Sequence, residues 1–334
     1  MNISFPPDIA VIIPNWNGAR WLPDCLAALA AQTLHPVEII LVDNGSTDGS
    51  AELAQAACPT LRLIKFPENR GFAAAVNAGI RQTRAPFVAL LNTDTRPMPD
   101  WLAVLSKTLA EAPAEVAGIA SCMVDMADPD RIENAGDLLS WQGMAAKRGH
   151  GSSRAEFNQS ALIFSPCAGA AIYRRSFLES AGLFDERFFA YLEDVDLGFR
   201  GRWMGFRFEY APDAIVLHQG HGSGLLHARY VRLITRNRIL LLLKNLPLRA
   251  ILTHLHQILY GQWYYLVAYR RPFQVVWGWL MVIPQVPHLL RERRHLASLR
   301  CVPATQVESW LSPIPPERPL FQAFRSRKQP VRIP

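Results

Sequence analysis

The sequence has few cysteines, and their number is odd. The five cysteines are widely spaced and form no CxxC motif. Structural zinc sites and disulfide frameworks depend on closely spaced or evenly paired cysteines, so neither is expected. The same pattern is typical of a chain that works in a reducing compartment. The N terminus also lacks a basic segment, and its first apolar run is short and strand-like, so no signal peptide is predicted.

Acidic residues are scarce in the last third of the chain. Residues 225–334 hold 17 Lys and Arg against 3 Asp and Glu, whereas the preceding 224 residues hold 18 against 25. A nucleic-acid-binding domain carries its basic residues on a folded surface. Here they are interleaved with apolar runs, so nucleic acid is not an expected partner. This uneven distribution of charge favours an acidic globular part followed by a basic, apolar tail, and the tail is expected to contact an anionic membrane surface.

Apolar runs alternate with helical patterns in the first hundred residues. Strands are predicted at residues 10–13, 37–42, 61–66 and 87–91, and helices at residues 21–32, 50–57 and 72–82. This order predicts parallel βαβ units with helices on both faces of a sheet. No GxGxxG motif follows the first strand, so a dinucleotide-binding domain has little support.

The apolar run at residues 87–91 ends abruptly in Asn92-Thr93-Asp94. Pro97 and Pro99 are expected to prevent further sheet pairing, and Asp100 is placed to cap the next helix. Open α/β sheets bind ligands at the carboxyl ends of their strands. Asp94 is therefore predicted to be a metal ligand facing a nucleotide diphosphate; a turn aspartate that only closes the loop is the alternative.

Four motifs occur in a fixed order: VIIPNWNG at residues 11–18, ILVDNGSTDGS at 40–50, ENRGFA at 68–73 and LNTDT at 91–95. Together they resemble glycosyltransferase family 2, and within it the bacterial rhamnosyltransferase-like members, over residues 8–245. The resemblance implies a GT-A fold, which is Rossmann-like with a mostly parallel central sheet. The expected organisation is a GT-A domain at 1–224, a membrane-associating helical region at 225–302 and a Pro-rich, disordered tail at 303–334.

The resemblance also implies residues that bind the nucleotide sugar. Asp43 would accept a hydrogen bond from the imide N–H of uridine or thymidine. Arg70 matches an arginine that contacts nucleotide or phosphate, although a surface arginine is the alternative. The remaining donor-binding candidates are Pro14, Trp16, Asn44 and Asn92.

The acidic metal motif of the family is Asn92-Thr93-Asp94 in this chain. Loss of the first carboxylate leaves less negative charge at the metal, while an asparagine can donate to a ribose or phosphate oxygen. His218 follows a short predicted strand and matches the metal-ligating histidine of the family; His221 is the competing candidate. A carboxylate with an imidazole suits Mn²⁺, and Mg²⁺ less well.

Three carboxylates, Glu193, Asp194 and Asp196, lie in an aromatic stretch. Desolvation by such neighbours raises the pKa of a carboxyl group, as a general base requires. The resemblance makes Asp194 the catalytic base, and Glu193 would orient it or the acceptor. An acidic first turn stabilised by the helix dipole is the structural reading for Asp196. Residues 147–153 are read either as a flap over the diphosphate or as a surface loop.

These features predict an inverting, metal-dependent hexosyltransferase. It would move a sugar from a UDP- or dTDP-sugar to a hydroxyl of a glycan or polyprenyl-linked acceptor, in cell-surface polysaccharide assembly. Rhamnose is the sugar that the resemblance suggests. The alternative is a non-catalytic nucleotide-sugar-binding or membrane scaffold protein, for which the substitution at Asn92 argues.

The tail contains two apolar segments of interest. Residues 225–246 read as a basic amphipathic helix or as a helix packed on the domain. Residues 272–290 carry no charge over 19 positions and are long enough to span a membrane, but prolines and polar residues weaken that interpretation. Peripheral attachment to the cytoplasmic face of the cell membrane is therefore expected.

Overall fold

The structure is a computed structural model that describes residues 8–220 and 227–312. The strands in chain order are β1 (Ile9–Asn15), β2 (Glu38–Asn44), β3 (Arg62–Phe66), β4 (Phe87–Leu91), β5 (Thr95–Pro97), β6 (Val116–Asp125), β7 (Ile132–Asn134), β8 (Asp137–Ser140), β9 (Ala145–Lys147), β10 (Ala161–Ile163), β11 (Ala170–Arg174), β12 (Arg207–His218) and β13 (Leu311–Ser312). The helices are α1 (Leu22–Ala30), α2 (Ser50–Ala57), α3 (Phe72–Gln82), α4 (Trp101–Glu111), α5 (Arg175–Ser180), α6 (Glu193–Trp203), α7 (His227–Asn245), α8 (Leu248–Thr253), α9 (Leu255–Ala268), α10 (Pro272–Leu280), α11 (Val286–Leu299) and α12 (Val307–Trp310).

A mixed central sheet organises the chain, with strand order β10-β12-β6-β11-β4-β1-β2-β3. Within the described residues, six of these eight strands run in one direction, and β10 and β11 run in the other. The prediction of a mostly parallel sheet is confirmed. Because the parallel strands end at one edge, the loops after β1, β2 and β4 meet there.

The sheet is buried on both faces, as the apolar strands require. Every residue of β4 is buried, and α3 packs against β1 through its small side chains. Gly79 permits this approach, because a Cβ at that position would lie 2.5 Å from Cγ2 of Ile12. The Ala-rich sequence of α3 therefore sets how closely the helix lies on the sheet.

The expectation that sheet pairing stops after Asp94 is wrong. Thr95–Pro97 forms β5, which pairs antiparallel with β12 and places Pro97 opposite Val216. Proline is tolerated in such a short edge strand because one side of it needs no N–H donor. Asp100 precedes α4 without a side-chain capping bond; its carboxylate instead accepts a hydrogen bond from Thr33 Oγ1 at 2.8 Å.

Helix α7 is a packing helix rather than a surface amphipathic helix. It packs against α6 and shares a hydrophobic core with it. Lys244 is buried near its end and forms ion pairs with Asp185 at 2.7 Å and Asp196 at 2.9 Å. The charge of Lys244 is thus neutralised within the protein.

Helices α8 to α11 expose many apolar side chains. The helical stretch Pro272–Leu299 is long and apolar enough to cross a membrane by length and composition, and 22% of its most apolar window is buried. A 3₁₀ turn at Ile283–Gln285 separates α10 from α11 within it. The exposed side chains include Leu252, Leu259, Trp263, Phe273, Trp277 and Ile283.

The expected disorder of residues 303–334 is wrong for the first part of that segment. Helix α12 ends at Trp310, whose ring lies 4.8 Å from that of Trp203, and β13 pairs with β8. Val307 and Leu311 are buried in the same core. These apolar residues explain the order, because they bury surface in that core.

Candidate active site

A cavity of about 630 Å³ opens at the edge where the parallel strands end. Most of the predicted site residues share it, although they are far apart in the sequence. Those that line it are Pro14, Trp16, Asn44, Asn92, Asp94, Glu193, Asp194 and His218. Asp43 and Arg70 are not in its wall, and His221 lies outside the described residues.

Asp94 directly precedes β5, and His218 is the last residue of β12. The antiparallel pairing of these two strands brings the two residues next to each other. His218 is opposite Thr95 in the register, and the backbone N–H of Gln219 donates to the Asp94 carbonyl at 3.0 Å. The side chains converge, with His218 Nε2 lying 3.4 Å from Asp94 Oδ2. The strand pairing therefore brings together the two residues predicted to bind a metal.

Glu133, at the centre of β7, is a member of this cluster that sequence reasoning missed. Its Oε2 lies 3.3 Å from His218 Nδ1, and its other oxygen pairs with Lys147. Burial lowers the pKa of His218, but the Asp94 and Glu133 carboxylates outweigh burial and raise it to about 9. Burial raises the pKa of Glu133, yet His218 and Lys147 bring it down to about 2. At neutral pH the site thus holds an imidazolium between two carboxylates.

The fit of this pair to a divalent ion follows from its geometry. Two ligands bound at about 2.1 Å to one ion lie roughly 3 Å apart, close to the observed separation of Asp94 from His218. Glu133 would then hold the Nδ1–H of the imidazole, as outer-shell carboxylates do. In the described ranges, no group of three or more His, Cys, Asp and Glu is arranged to hold a metal ion by itself. Such an ion would depend on water or substrate oxygens for its other ligands.

Asp194 lies at the start of α6, in the same cavity. Its Oδ2 accepts a hydrogen bond from the Ala168 N–H at 3.0 Å, and its Oδ1 accepts one from the Val195 N–H at 2.8 Å. Burial raises the pKa of Asp194 despite these bonds. The carboxylate is therefore oriented and only weakly solvated, as a general base requires.

The loop before Asp194 has a strained backbone. Phe189, Tyr191 and Leu192 all have positive φ, at 64°, 73° and 69°. Asn237 of α7 stabilises this arrangement, because its side-chain amide donates to the carbonyls of Phe188, Ala190 and Tyr191 at 2.8 to 2.9 Å. Strain of this kind collects at functional sites when the surroundings enforce it.

Two more buried carboxyl groups lie near Asp194. Burial and the nearby Asp194 carboxylate raise the pKa of Asp137 to about 8 and the pKa of Glu193 well above its ordinary value. Asp137 accepts hydrogen bonds from Asn134 Nδ2 and Ser165 Oγ, both at 3.1 Å. Sequence reasoning missed Asp137, because it lies within the polar segment 127–160 and has no motif around it.

Asp196 has a structural role that differs from the helix-dipole reading. Its side chain is fully buried and accepts from Arg200, Lys244 and Asn245 at 2.8 to 2.9 Å. It is turned away from the cavity and joins α6 to α7. The three neighbouring carboxylates thus divide between the cavity and the core.

Side-chain amides hold together the loops that follow β2 and β3, where donor-binding residues are predicted. Asn15 donates to Asp43 at 2.9 Å, while Asn44 donates to the Gly71 carbonyl and accepts from the Arg70 N–H. The guanidinium of Arg70 is exposed and stacks on Phe66 at 4.8 Å. Asn44 therefore positions the loop at 68–71. Lys147, in the segment 147–153 that is predicted to be a flap or a surface loop, lines the cavity.

The solved structures that resemble this chain share its fold. One is the mannosyltransferase PcManGT from Pyrobaculum calidifontis, in complex with GDP-Man and Mn²⁺, with a TM-score of 0.52 and 18% identity over 92% of this chain and 79% of that one. Another is GalNAc-T7 with UDP, GalNAc and Mn²⁺, with a TM-score of 0.55 and 14% identity over 75% and 55% of the two chains. These likenesses show that the chain has a GT-A fold.

Sequence comparison gives the family. Residues 10–182 match the model of glycosyl transferase family 2. N-acetylglucosaminyl-diphospho-decaprenol L-rhamnosyltransferase of Mycobacterium tuberculosis is 30% identical over 240 residues, which are 65% of this chain and 78% of that protein. Pre-mycofactocin glycosyltransferase of the same organism is 28% identical over 213 residues, 63% of this chain and 42% of that protein. The chain belongs to glycosyltransferase family 2.

Proposed function

We propose that this enzyme transfers a sugar, with inversion, from a nucleoside-diphosphate donor to an acceptor hydroxyl. The observation that carries the proposal is the shared cavity of Asp94, His218 and Asp194. Asp194 has the orientation and raised pKa to remove the acceptor proton as the acceptor oxygen attacks the anomeric carbon. Attack from the side opposite the leaving diphosphate inverts the configuration in one step.

Asp94 and His218 would hold a divalent ion, Mn²⁺ by preference. When bound, such an ion supplies positive charge for the leaving diphosphate. Glu133 lies on the other side of the imidazole, with its Oε2 atom 3.3 Å from His218 Nδ1. Asn92 lines the same wall and can donate to a donor oxygen. Pro14 and Trp16 would border the nucleobase.

We further propose a lipid-linked acceptor presented at a membrane. The M. tuberculosis relative is named for a diphospho-decaprenol acceptor and for L-rhamnose. The exposed apolar side chains of α8 to α11 suit attachment to the inner face of the cell membrane, beside basic residues that suit anionic lipid. Rhamnose from dTDP-rhamnose is the first donor to test.

A donor screen tests the reaction. Purified protein is incubated with UDP- and dTDP-sugars, a polyprenyl diphosphate-sugar acceptor and Mn²⁺, and both nucleoside diphosphate release and glycosylated acceptor are measured. Product with one donor, lost after EDTA treatment and in Asp94→Ala, is expected. Donor binding without product across the screen would favour the non-catalytic binding protein, and activity unchanged by EDTA and by Asp94→Ala would reject the metal assignment.

A further inference from the structure

One arginine in the cavity wall has hydrogen-bonding capacity that the protein does not use. Arg238 of α7 lines the cavity and is 6% exposed. Its Nη2 donates to Tyr269 Oη at 2.6 Å. Its Nε and Nη1 atoms are buried and have no hydrogen-bond partner in the part of the chain that the structure describes. A buried cation with unpaired donors is costly, so it indicates an anionic ligand.

The surroundings of Arg238 hold its guanidinium in place without neutralising it. The guanidinium carbon lies 3.4 Å from the ring centroid of Tyr265 and 5.4 Å from that of Tyr269. Phenols are neutral at pH 7, so these rings stack on the cation but supply no counter-charge. The guanidinium is thus oriented in advance of any ligand.

Arg236, two residues earlier on the same helix, is a useful contrast. It is also buried, but it donates to Asn237 Oδ1 and to the carbonyls of Arg187 and Phe188. Its role is therefore to hold the loop before Asp194. Arg238 has no comparable set of protein acceptors, although it costs as much to bury.

Arg238 comes from a different part of the fold than the residues proposed to border the nucleobase. Pro14 lies near the end of β1 and Trp16 directly after it, whereas Arg238 belongs to α7 and stacks on Tyr265 of α9. The outer side of α9 exposes Leu259 and Trp263. The arginine therefore lies between the cavity and a helix with an exposed apolar face.

We propose that Arg238 binds the phosphate groups of a lipid-linked acceptor, with the diphosphate as the preferred form. The inference rests on the proposed function and specifies its acceptor. The planar guanidinium suits bidentate contact with phosphate oxygens. The acceptor sugar would reach Asp194 from there, and the lipid would leave along the apolar face of α9.

Geranyl diphosphate is the probe for this site. Its binding to the full chain is measured by calorimetry with UDP and dTDP both at saturating concentration, so that the donor site is filled. Arg238→Gln is expected to weaken binding about tenfold to a hundredfold. Arg249→Gln removes the same charge from an exposed position on α8 and is expected to leave binding unchanged.

Two results would overturn the assignment. One is an unchanged affinity of Arg238→Gln for geranyl diphosphate. The other is a selective loss of UDP or dTDP affinity in that variant, which would place Arg238 at the donor instead. If Arg238→Gln does not fold, Arg238→Lys is used instead. Lysine keeps the positive charge but lacks the paired N–H donors of the guanidinium, so binding of geranyl diphosphate is expected to be about fivefold weaker. Wild-type affinity in Arg238→Lys would refute the proposal.

The measurement needs no turnover, so its result is separable from that of the donor screen. Arg238-dependent binding of the probe, with no sugar transfer in the screen, would support the anion site and reject the enzymatic proposal. Sugar transfer to the acceptor, together with probe binding that does not depend on Arg238, would support the enzymatic proposal and reject the anion site.

Discussion

The Nδ1 atom of His218 lies 3.3 Å from Oε2 of Glu133, on the side of the imidazole that faces away from Asp94. The ring thus lies between two carboxylates before any ligand binds. Since Lys147 also pairs with Glu133, the cluster couples β7, β9 and β12. A glutamate with no motif of its own therefore helps to raise the pKa of a residue that the family resemblance singles out.

Glu133→Gln is expected to lower the pKa of His218 from about 9 towards its ordinary value, because one of the two stabilising carboxylates is lost. The His218 imidazole resonances, followed by NMR against pH in metal-free protein, measure the change. Glu156→Gln, an exposed substitution outside the cavity, is the control. An unchanged pKa of His218 in Glu133→Gln would show that the contact has no electrostatic role.

Asp194→Asn is expected to reduce kcat about a hundredfold to ten-thousandfold, because the amide cannot accept the acceptor proton. The affinity for nucleoside diphosphate should stay within about twofold, since that ligand meets other residues. Steady-state kinetics and equilibrium binding separate the two effects. Substantial remaining transfer would remove Asp194 from the base role.

Asp196→Asn is expected to act on stability instead. The neutral side chain would leave Lys244 and Arg200 short of a buried counter-charge. Breaking a buried ion pair of this kind costs about 3 to 5 kcal/mol. Chemical unfolding measures the loss, and kcat of the folded fraction should remain near that of wild type. A variant as stable as wild type would contradict the assigned role.

Asn237→Ala is expected to release the loop that leads to Asp194. Three carbonyls lose this donor, and that of Phe188 keeps one from Arg236. The change predicts a loss of about 2 to 4 kcal/mol in unfolding free energy. A lower kcat with little change in the donor KM should accompany it, because Asp194 is positioned by this loop. Asn158→Ala, at an exposed site, serves as the matched substitution. Normal kcat in Asn237→Ala would separate the loop from catalysis.

Asp137 gives the protein a specific pH dependence. Its carboxyl group has a pKa of about 4 in the unfolded chain and about 8 in the folded protein. Between these values the folded state keeps a proton that the unfolded state has lost, so the unfolding free energy falls as pH rises from about 4 to 8. Asp137→Asn should flatten this decline and be more stable than wild type at pH 8. Melting temperatures from pH 5 to 8 provide the test, and parallel curves for the two proteins would refute it.

Local signals in the sequence were sufficient for much of the fold. Helices α2 and α3 and strand β4 have the predicted bounds, because turn residues and apolar runs mark their ends. The pairing of β5 with β12 was not predictable in this way, since its two strands are far apart in the chain. Pairing of that kind depends on tertiary contacts that no local pattern records.

The candidate site, too, was predictable only where local motifs mark its residues. Motifs identified Asp94, Asp194 and His218, and the structure brings all three to one cavity. Glu133 and Arg238 carry no motif, and their importance depends on what surrounds them after folding. A basic residue on a helix is usually solvated. The burial of Arg238 depends on the packing of α9 against α7, which the sequence pattern does not predict.

The register of β5 against β12 has a consequence for how this enzyme can diversify. Thr95 and His218 are fixed opposite each other by backbone hydrogen bonds, independently of the long segment that connects the two strands. The segment between β6 and β11 contributes Asn134, Asp137 and Lys147 to the cavity wall. Exchanges within it that retain Glu133 and Lys147 are therefore expected to change which acceptor is admitted while the Asp94–His218 spacing stays constant. Chimaeras that graft this segment from a relative should keep the donor preference of the host and adopt the acceptor preference of the graft.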